Sequence, residues 1–473
     1  MRISTLLALT CSFAFGTLAA FAQTPSPAGI WDGAINLPGT AMRVIVTLQQ
    51  KEDRSWSGTV DIPMQSAKGI PLTKITIDGA SVAFTLVGPP GDPTFTGKLS
   101  ADGQTISGDF TQGPGKFAFK LERSKTGQVT IPARPQEPKK PYPYDEREVT
   151  YENEAAGIKL AGTLTLPRSG GPFPAVILIT GSGPQDRDEA IAGHKPFLVL
   201  ADHLTRHGIA VLRVDDRGVG GSTGNTMDST DEDLAGDVLS GITFLKGLPE
   251  IDAKHIGLIG HSEGGMVAPL VATKSSDVAF IVLMAGPGLP GDEVLYLQAA
   301  AIMKASGMGD ALIAQNRSVQ EALINIVKAE KDPAARLARF RTVRDELTNG
   351  VPPAAKAAAA QQLEAQFQGV TTPALAYLLT TDPRPTLAKV KCPVLAVNGE
   401  KDLQVTFQEN LAGIQGALKS GGNADVTIKS LPNLNHLFQT SKTGLPGEYS
   451  QIEETISPDA LSTISDWIAK HAK

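Results

Sequence analysis

The chain has 473 residues, which is enough for two or three domains with a sizeable buried core. With 41% apolar and 5% aromatic residues, its composition is that of a globular protein and excludes a fibrous or disordered chain. The formal net charge is −6, and no basic run is long enough to follow a phosphate backbone, so nucleic acid is not an expected partner.

The first residues have the pattern of a secretory signal peptide. Arg2 precedes an apolar run from Ile3 to Ala20, and a small-residue cleavage site ends at Ala22. We therefore expect residues 1–22 to be removed and the mature protein to be periplasmic or secreted. An uncleaved membrane anchor is the alternative, but the run is short for a spanning helix and no second one follows. Cys392 would then be the only cysteine, which leaves no intramolecular disulfide.

Residues 23–123 show short alternating segments separated by glycine. Val44, Val46 and Leu48 have the two-residue period of a strand, and Asp78-Gly79 and Asp102-Gly103 are pairs that favour tight hairpin turns. This pattern predicts a small antiparallel β domain, either a sandwich or a barrel. Trp31 and Trp56 could form a ligand-binding face, but tryptophan in a small β domain is more often part of the core.

The composition changes twice after this domain. Residues 124–147 are rich in Pro, Lys, Gln and Glu, which predicts a stiff, extended linker. From residue 148 to 473, apolar runs alternate with helical stretches, as in a mostly parallel sheet covered by helices. The strand candidates are Ala175–Thr180, Ala210–Asp215, Ile256–Gly260, Phe280–Ala285, Pro393–Asn398 and Asp425–Leu431.

Residues 290–385 contain no strand pattern. Their Ala-rich stretches have helical spacing, with Leu323 and Ile326 on one apolar face and Leu337 and Phe340 on another. We expect a helical cap inserted into the sheet domain over a binding site. The alternative is a helical side domain with no part in substrate selection.

The motif Gly-x-Ser-x-Gly occurs twice, around Ser222 and around Ser262. A nucleophilic serine of this type needs a strand that runs into a strained turn and then a helix. Residues 256–260 make such a strand, and Gly264–Lys274 has the pattern of the helix. Ser222 lies in a glycine-rich loop without a following helix, so Ser262 is the predicted nucleophile.

A serine hydroxyl needs a base to take its proton, and in this strand-turn-helix arrangement the base comes late in the chain. Of the seven histidines, His436 lies in a loop after the last strand candidate. His261 is next to the serine, where we expect the turn to point it away, and His471 is in a terminal helix. The acid that orients the base should follow a strand that lies between Ser262 and His436 in the chain. Glu400 and Asp402 are both candidates.

The negative charge that forms on the carbonyl oxygen of the substrate needs two hydrogen-bond donors to stabilise it. The first is expected to be the backbone N–H of Glu263, and the second an N–H of the loop Gly181-Ser182-Gly183-Pro184, either Ser182 or Gly183. These glycines could instead only form a tight turn.

No cofactor is expected. His203 and His207 could share a helix face and bind a metal, but no Cys or acidic signature of a zinc enzyme lies nearby, so a solvated helix face is the preferred interpretation. The sequence contains no Walker-type phosphate loop, and residues 181–183 lack the third glycine of a dinucleotide site.

Three motifs in order resemble one family. They are Gly181-Ser182-Gly183-Pro184-Gln185-Asp186-Arg187-Asp188, Asp216-Arg217-Gly218-Val219-Gly220-Gly221-Ser222 and Gly260-His261-Ser262-Glu263-Gly264-Gly265. Together they resemble the bacterial EstD-type esterases, relatives of the serine aminopeptidase-like α/β-hydrolases, over residues 148–473.

The resemblance implies an α/β-hydrolase fold with a helical cap insertion, preceded by the small all-β domain. It also implies a catalytic triad of Ser262, Asp402 and His436, which favours Asp402 over Glu400, and hydrolysis of short-chain acyl esters of small molecules. Two other functions stay open. A serine peptidase or aminopeptidase would use the same triad, with Glu263 or acids of the cap as an anchor for a peptide terminus. A catalytically inert binding protein of the cell envelope is the third.

Overall fold

The computed structural model describes residues 25–472 except 38–39, 63–66, 88–92, 113–114 and 125–131. The predicted signal peptide, residues 1–22, lies outside this part of the chain. Among the helices that are described, none is long and apolar enough to cross a membrane.

The N-terminal domain is a closed barrel of eight antiparallel strands in chain order, in which β1 also pairs with β8. Of the two predicted architectures, the barrel is the one that forms. Trp31 is fully buried in its core, and Gly79 and Gly103 adopt φ of 55° and 69° in two of the hairpin turns. The strands are β1 (Gly29–Leu37), β2 (Thr40–Gln50), β3 (Trp56–Ile62), β4 (Ala67–Asp78), β5 (Ser81–Leu86), β6 (Thr94–Leu99), β7 (Thr105–Gln112) and β8 (Gly115–Arg123).

The described part of the linker is bound to the second domain. The guanidinium of Arg134 donates to the backbone oxygens of Gly193, Ser450 and Ile452 at 2.9–3.0 Å, and Gln136 pairs with the backbone of Ile456. The segment predicted as a stiff, extended linker is thus docked along the surface, because long polar side chains such as Arg134 and Gln136 reach carbonyl groups of neighbouring loops.

The second domain is built on an eight-stranded sheet in the order β9-β10-β12-β11-β13-β14-β15-β16. β10 runs antiparallel to both of its neighbours, β9 and β12. The remaining six strands, β11 to β16, are parallel to one another. The strands are β9 (Asp145–Asn153), β10 (Ile158–Leu166), β11 (Phe173–Ile179), β12 (Ala210–Val214), β13 (Ile251–His261), β14 (Val278–Met284), β15 (Val394–Gly399) and β16 (Val426–Leu431).

Strands β11–β16 lie at the six predicted positions, whereas β9 and β10 were not predicted. β9 begins at Asp145, inside the predicted linker. It is an edge strand whose first residues are mostly exposed, so its sequence is polar and lacks the apolar run of a buried strand.

Helices cover both faces of this sheet. α1 and α11 pack with one apolar cluster that includes Phe197 and Trp467, and α2, α3 and α10 pack with the other, which includes Val267 and Ile414. The helices are α1 (Pro196–Arg206), α2 (Asp231–Lys246), α3 (Gly264–Lys274), α10 (Phe407–Ser420) and α11 (Pro458–His471), with the short α9 (Arg384–Leu387) and a 3-10 helix (Pro446–Gln451).

Five helices are inserted between β14 and β15, where the sequence predicts a helical insertion; we call them the cap. They are α4 (Gly291–Ala305), α5 (Asp310–Ala329), α6 (Pro333–Leu347), α7 (Pro353–Val370) and α8 (Pro373–Thr380). Leu323, Ile326 and Phe340 form the cap core, and the rings of Phe340 and Phe367 stack at 4.2 Å. Leu337, which was predicted to share an apolar face with Phe340, is 39% exposed, whereas Phe340 is fully buried.

Candidate active site

Ser262 lies at a strained turn between β13 and α3. Its φ is +52°, a left-handed conformation that non-glycine residues adopt rarely and that is typical of a nucleophile elbow. The turn is possible because the residues two positions before and after Ser262 are glycines. A Cβ atom on Gly260 would lie 2.0 Å from the oxygen of Gly264, and one on Gly264 would lie 2.3 Å from the oxygen of Ile179. The backbone N–H of Ser262 donates to Met284 at 2.9 Å, which fixes the turn against β14.

Ser222, in the first copy of the motif, is hydrogen bonded to the backbone of neighbouring segments. Its hydroxyl accepts from the backbone N–H of Ala161 at 2.9 Å and donates to the backbone oxygen of Asp215 at 2.8 Å. The side chain is buried, and α2 does not begin until Asp231. The Ser222 hydroxyl therefore joins the loop after β12 to β10.

Asp402 and His436 form a buried pair. Asp402 follows β15, His436 follows β16, and Asp402 Oδ2 lies 2.8 Å from His436 Nδ1. The other carboxylate oxygen, Oδ1, accepts from the backbone N–H groups of Gln404 and Val405 at 2.8 and 2.9 Å. Glu400 lies on the surface and accepts from Ser430. Of the two acids that the residues alone left open, Asp402 is the one in contact with the histidine.

The Ser262 hydroxyl is not hydrogen bonded to His436 among the contacts of the described residues. Hydrogen bonds of this kind are often long without a substrate and shorten when one binds. The geometry thus brings together Asp402 and His436, and it places Ser262 separately at the elbow.

His261 has a larger part in the site than the sequence suggests. Its Nδ1 lies 2.8 Å from Glu189 Oε1, its Nε2 donates to the backbone oxygen of His436 at 3.0 Å, and the two imidazole rings are 4.8 Å apart. The same Glu189 oxygen accepts from the backbone N–H of Gly181 at 2.8 Å. This buried pair therefore connects the Gly181 loop, the elbow and the His436 loop. Sequence spacing gave no sign of it, since Glu189 and His261 are far apart in the chain.

The charge of Glu189 controls the protonation of His261. Burial alone would lower the pKa of His261, but the charge of Glu189 and its hydrogen bond outweigh burial and raise that pKa above the usual value. The protonated imidazole then donates from both nitrogens, as the two contacts require.

We expect Glu189→Gln to lower the free energy of unfolding by about 3 kcal/mol, because it leaves a buried histidine without its counter-charge. The folded pKa of His261 lies above its unfolded value of about 6.5, so this stabilisation is complete below about pH 6.5 and is lost as the pH rises through the folded pKa. Thermal unfolding at pH 5.5 and pH 9 should show a Tm difference between wild type and variant that narrows at the higher pH.

Asp252→Asn is the matched control, because Asp252 pairs with His255 at 2.8 Å on the surface, where such pairs contribute about 0–1 kcal/mol. A Tm loss in Glu189→Gln that is the same at both pH values would contradict the proposed ion pair.

A cavity of about 160 Å³ lies above Ser262, and we call it the Ser262 cavity. The sheet domain contributes Ser182, Ser262 and Glu263, and helices α4 and α8 of the cap form the opposite wall. Ser182 and Glu263 are thus near the nucleophile, as oxyanion donors must be. Gly183 is not part of the cavity wall, so of the two predicted loop donors Ser182 has the better position. The N–H of Gly181 is already bound to Glu189.

The side chain of Glu263 forms a carboxyl pair with Asp231 at the edge of this cavity. Burial, reinforced by the charge of Asp231, raises the pKa of Glu263 to about 8, and burial raises the pKa of Asp231 to about 6. A hydrogen bond between two carboxyl groups requires a proton on one of them, so the pair carries at most one negative charge beside the nucleophile.

No group of three or more His, Cys, Asp or Glu side chains suitable for a metal ion occurs within the described residues. His203 lies against Ser465 at 3.0 Å, and His207 binds the backbone oxygen of His203 at 2.7 Å.

This strand order, with a nucleophile elbow after the fifth strand of the sheet and an Asp and a His after the seventh and eighth, defines the α/β-hydrolase fold. The chain belongs to the X-Pro dipeptidyl-peptidase (S15) family, whose sequence profile matches residues 156–422. The predicted hydrolase class is confirmed by this membership.

The predicted resemblance to the EstD-type esterases is also confirmed. The chain is 27% identical to Esterase EstD of Thermotoga maritima over 336 residues, which are 70% of this chain and 69% of that protein.

Solved structures to which the chain is similar include the esterase Pf2001 of Pyrococcus furiosus, at 16% identity and a TM-score of 0.42, covering 73% of this chain and 100% of that one. Another is the α/β-hydrolase GrgF of a Penicillium species, at 18% identity and a TM-score of 0.43, covering 70% and 99% of the two chains.

Proposed function

We propose that this protein is a serine esterase that hydrolyses carboxylic esters through an acyl-enzyme on Ser262. The observation that carries the proposal is the buried pair of Asp402 and His436, which follows the two strands that an α/β-hydrolase uses for its acid and base. The elbow conformation of Ser262 and the similarity to Esterase EstD support it.

In the proposed reaction, His436 Nε2 takes the proton of Ser262 as Oγ attacks the ester carbonyl carbon. The carbonyl oxygen becomes negatively charged and accepts from the backbone N–H groups of Glu263 and Ser182. The tetrahedral intermediate then collapses, and His436 gives the proton to the departing alcohol. A water molecule, activated by His436, releases the acid. Asp402 keeps the proton of the imidazole on Nδ1 throughout.

The Ser262 cavity fits a small acyl group in volume, and apolar side chains such as Val294 and Leu379 line its cap wall. These features favour short-chain acyl esters of small molecules. Secretion or a periplasmic location, which follows from residues 1–22, stays a prediction of the sequence.

A peptidase or aminopeptidase is the second candidate, and the Glu263–Asp231 pair favours it. One shared negative charge beside the nucleophile could bind the ammonium group of an aminoacyl substrate, and the family to which the chain belongs is described as X-Pro dipeptidyl-peptidases.

A substrate comparison separates the two functions. We expect p-nitrophenyl acetate and butyrate to be hydrolysed with a kcat/KM at least about tenfold above that of aminoacyl and X-Pro p-nitroanilides, equivalent to about 1.4 kcal/mol in the transition state. A preference for the anilides that Glu263→Gln removes would favour the peptidase instead.

A further inference from the structure

The cap contains a second cavity, of about 690 Å³, between α4, α5 and α7. We call it the cap cavity. Its wall is formed mainly by apolar side chains, among them Ile302, Met303, Met308, Val319 and Leu363. Of the described residues that line it, none is an Asp, Glu, Lys, Arg or His, and the polar ones are neutral amides and one threonine. In a chain with 19% charged residues, such a wall favours an uncharged, apolar occupant.

One face of α4 connects this cavity to Ser262. Leu295 and Gln298 line both cavities. Toward the nucleophile the wall continues with Gly291 and Val294, and toward the cap cavity it continues with Ala299, Ile302 and Met303. Counted from Gly291 these residues lie at positions i+3, i+4, i+7, i+8, i+11 and i+12, which is the spacing of one stripe along a helix. From Gly291 to Met303 the stripe is about 18 Å long at the rise of an α-helix.

We propose that the cap cavity binds the alkyl chain of a medium- or long-chain acyl group whose carbonyl carbon is attacked by Ser262. This inference rests on the proposed esterase function and extends its substrates beyond the short acyl groups that fill the Ser262 cavity alone. The acyl side is assigned because the acyl group stays bound to Ser262 after the alcohol has left, at the point where the α4 stripe begins. The chain follows the α4 stripe past Leu295 and Gln298.

The first test is a series of p-nitrophenyl esters from acetate through butyrate and hexanoate to octanoate, with the full-length protein. Each methylene group buried in the cavities should raise kcat/KM by about fourfold until the chain is fully enclosed. A wild type that hydrolyses acetate but shows no gain with chain length would overturn this inference and leave the esterase function intact. A wild type with no activity on any ester would overturn the esterase function itself.

The second test fills the cap cavity. Ile302→Trp and Met303→Trp, both at half-buried positions of α4, should lower the ratio of octanoate to acetate kcat/KM by at least about tenfold, since the added ring occupies the space of several methylene groups. Leu337→Trp is the matched control, because Leu337 is exposed on α6 and lines neither cavity; it should leave the ratio unchanged.

An equal fall of the ratio in the control, or no fall in either α4 variant, would overturn the assignment. So would a series of acetate esters in which kcat/KM rises with the length of the alcohol while the acyl series shows no such rise.

Discussion

Ser262→Ala is expected to lower kcat for p-nitrophenyl acetate by at least about 10⁴-fold, because alanine has no oxygen to form the acyl-enzyme and losses of this size follow removal of a catalytic serine. Steady-state kinetics would measure the loss. Labelling by a fluorophosphonate probe, which reacts with activated serines, should disappear in the same variant. Labelling of the wild type would also exclude an inert binding protein.

Ser222→Ala is the control for this prediction, since Ser222 lies in the other copy of the motif. It should keep most of the activity and lower the free energy of unfolding by about 1–3 kcal/mol, because the half-buried N–H of Ala161 loses its acceptor. Full ester turnover in Ser262→Ala would remove the central proposal. A loss of activity in Ser222→Ala as large as in Ser262→Ala would mean that the wrong copy has been chosen.

Asp402→Asn is expected to lower kcat by about 10³–10⁴-fold with little change in KM. An amide at this position can donate to His436 Nδ1, which would place the imidazole proton on Nε2, where the proton of Ser262 must be accepted. Two backbone N–H groups would also face an uncharged side chain, since Asp402 accepts from Gln404 and Val405. Kinetics at saturating p-nitrophenyl butyrate would measure the effect on kcat.

Glu400→Gln is the matched substitution, two residues earlier in the same loop, and it should change kcat by less than about twofold because its carboxylate contacts only Ser430 on the surface. An equal loss of kcat in the two variants would show that any substitution in this loop impairs the enzyme. It would contradict the specific role proposed for Asp402.

Patterns within one segment predicted much of the fold. Strands β11, β14 and β15 and the second half of β13 are buried apolar runs, so their positions could be predicted, and the Asp-Gly pairs marked hairpin turns. The edge strand β9 was missed because a strand exposed to solvent has no apolar run. Leu337 shares its predicted face with the buried Phe340 but is exposed, because helical spacing predicts a face and not the width of its contact.

Contacts between distant segments could not be read in the same way. The docking of Arg134 against the carbonyls of Ser450 and Ile452, and the pairing of Glu189 with His261, join residues that no local period relates. Even the choice between Glu400 and Asp402 needed a family resemblance at first, because both follow the same strand.

By itself, the sequence determined which serine lies at a strand-turn-helix junction, because the glycines that permit the close approach of strand and helix lie two residues before and after Ser262. Only the tertiary structure decided that Asp402 contacts His436, that His261 and Glu189 support the His436 loop, and that α4 connects the Ser262 cavity to the cap cavity. The physical reason is that backbone conformation is specified by neighbouring residues, whereas hydrogen bonds across the sheet domain and the shape of a cavity depend on how separate elements pack.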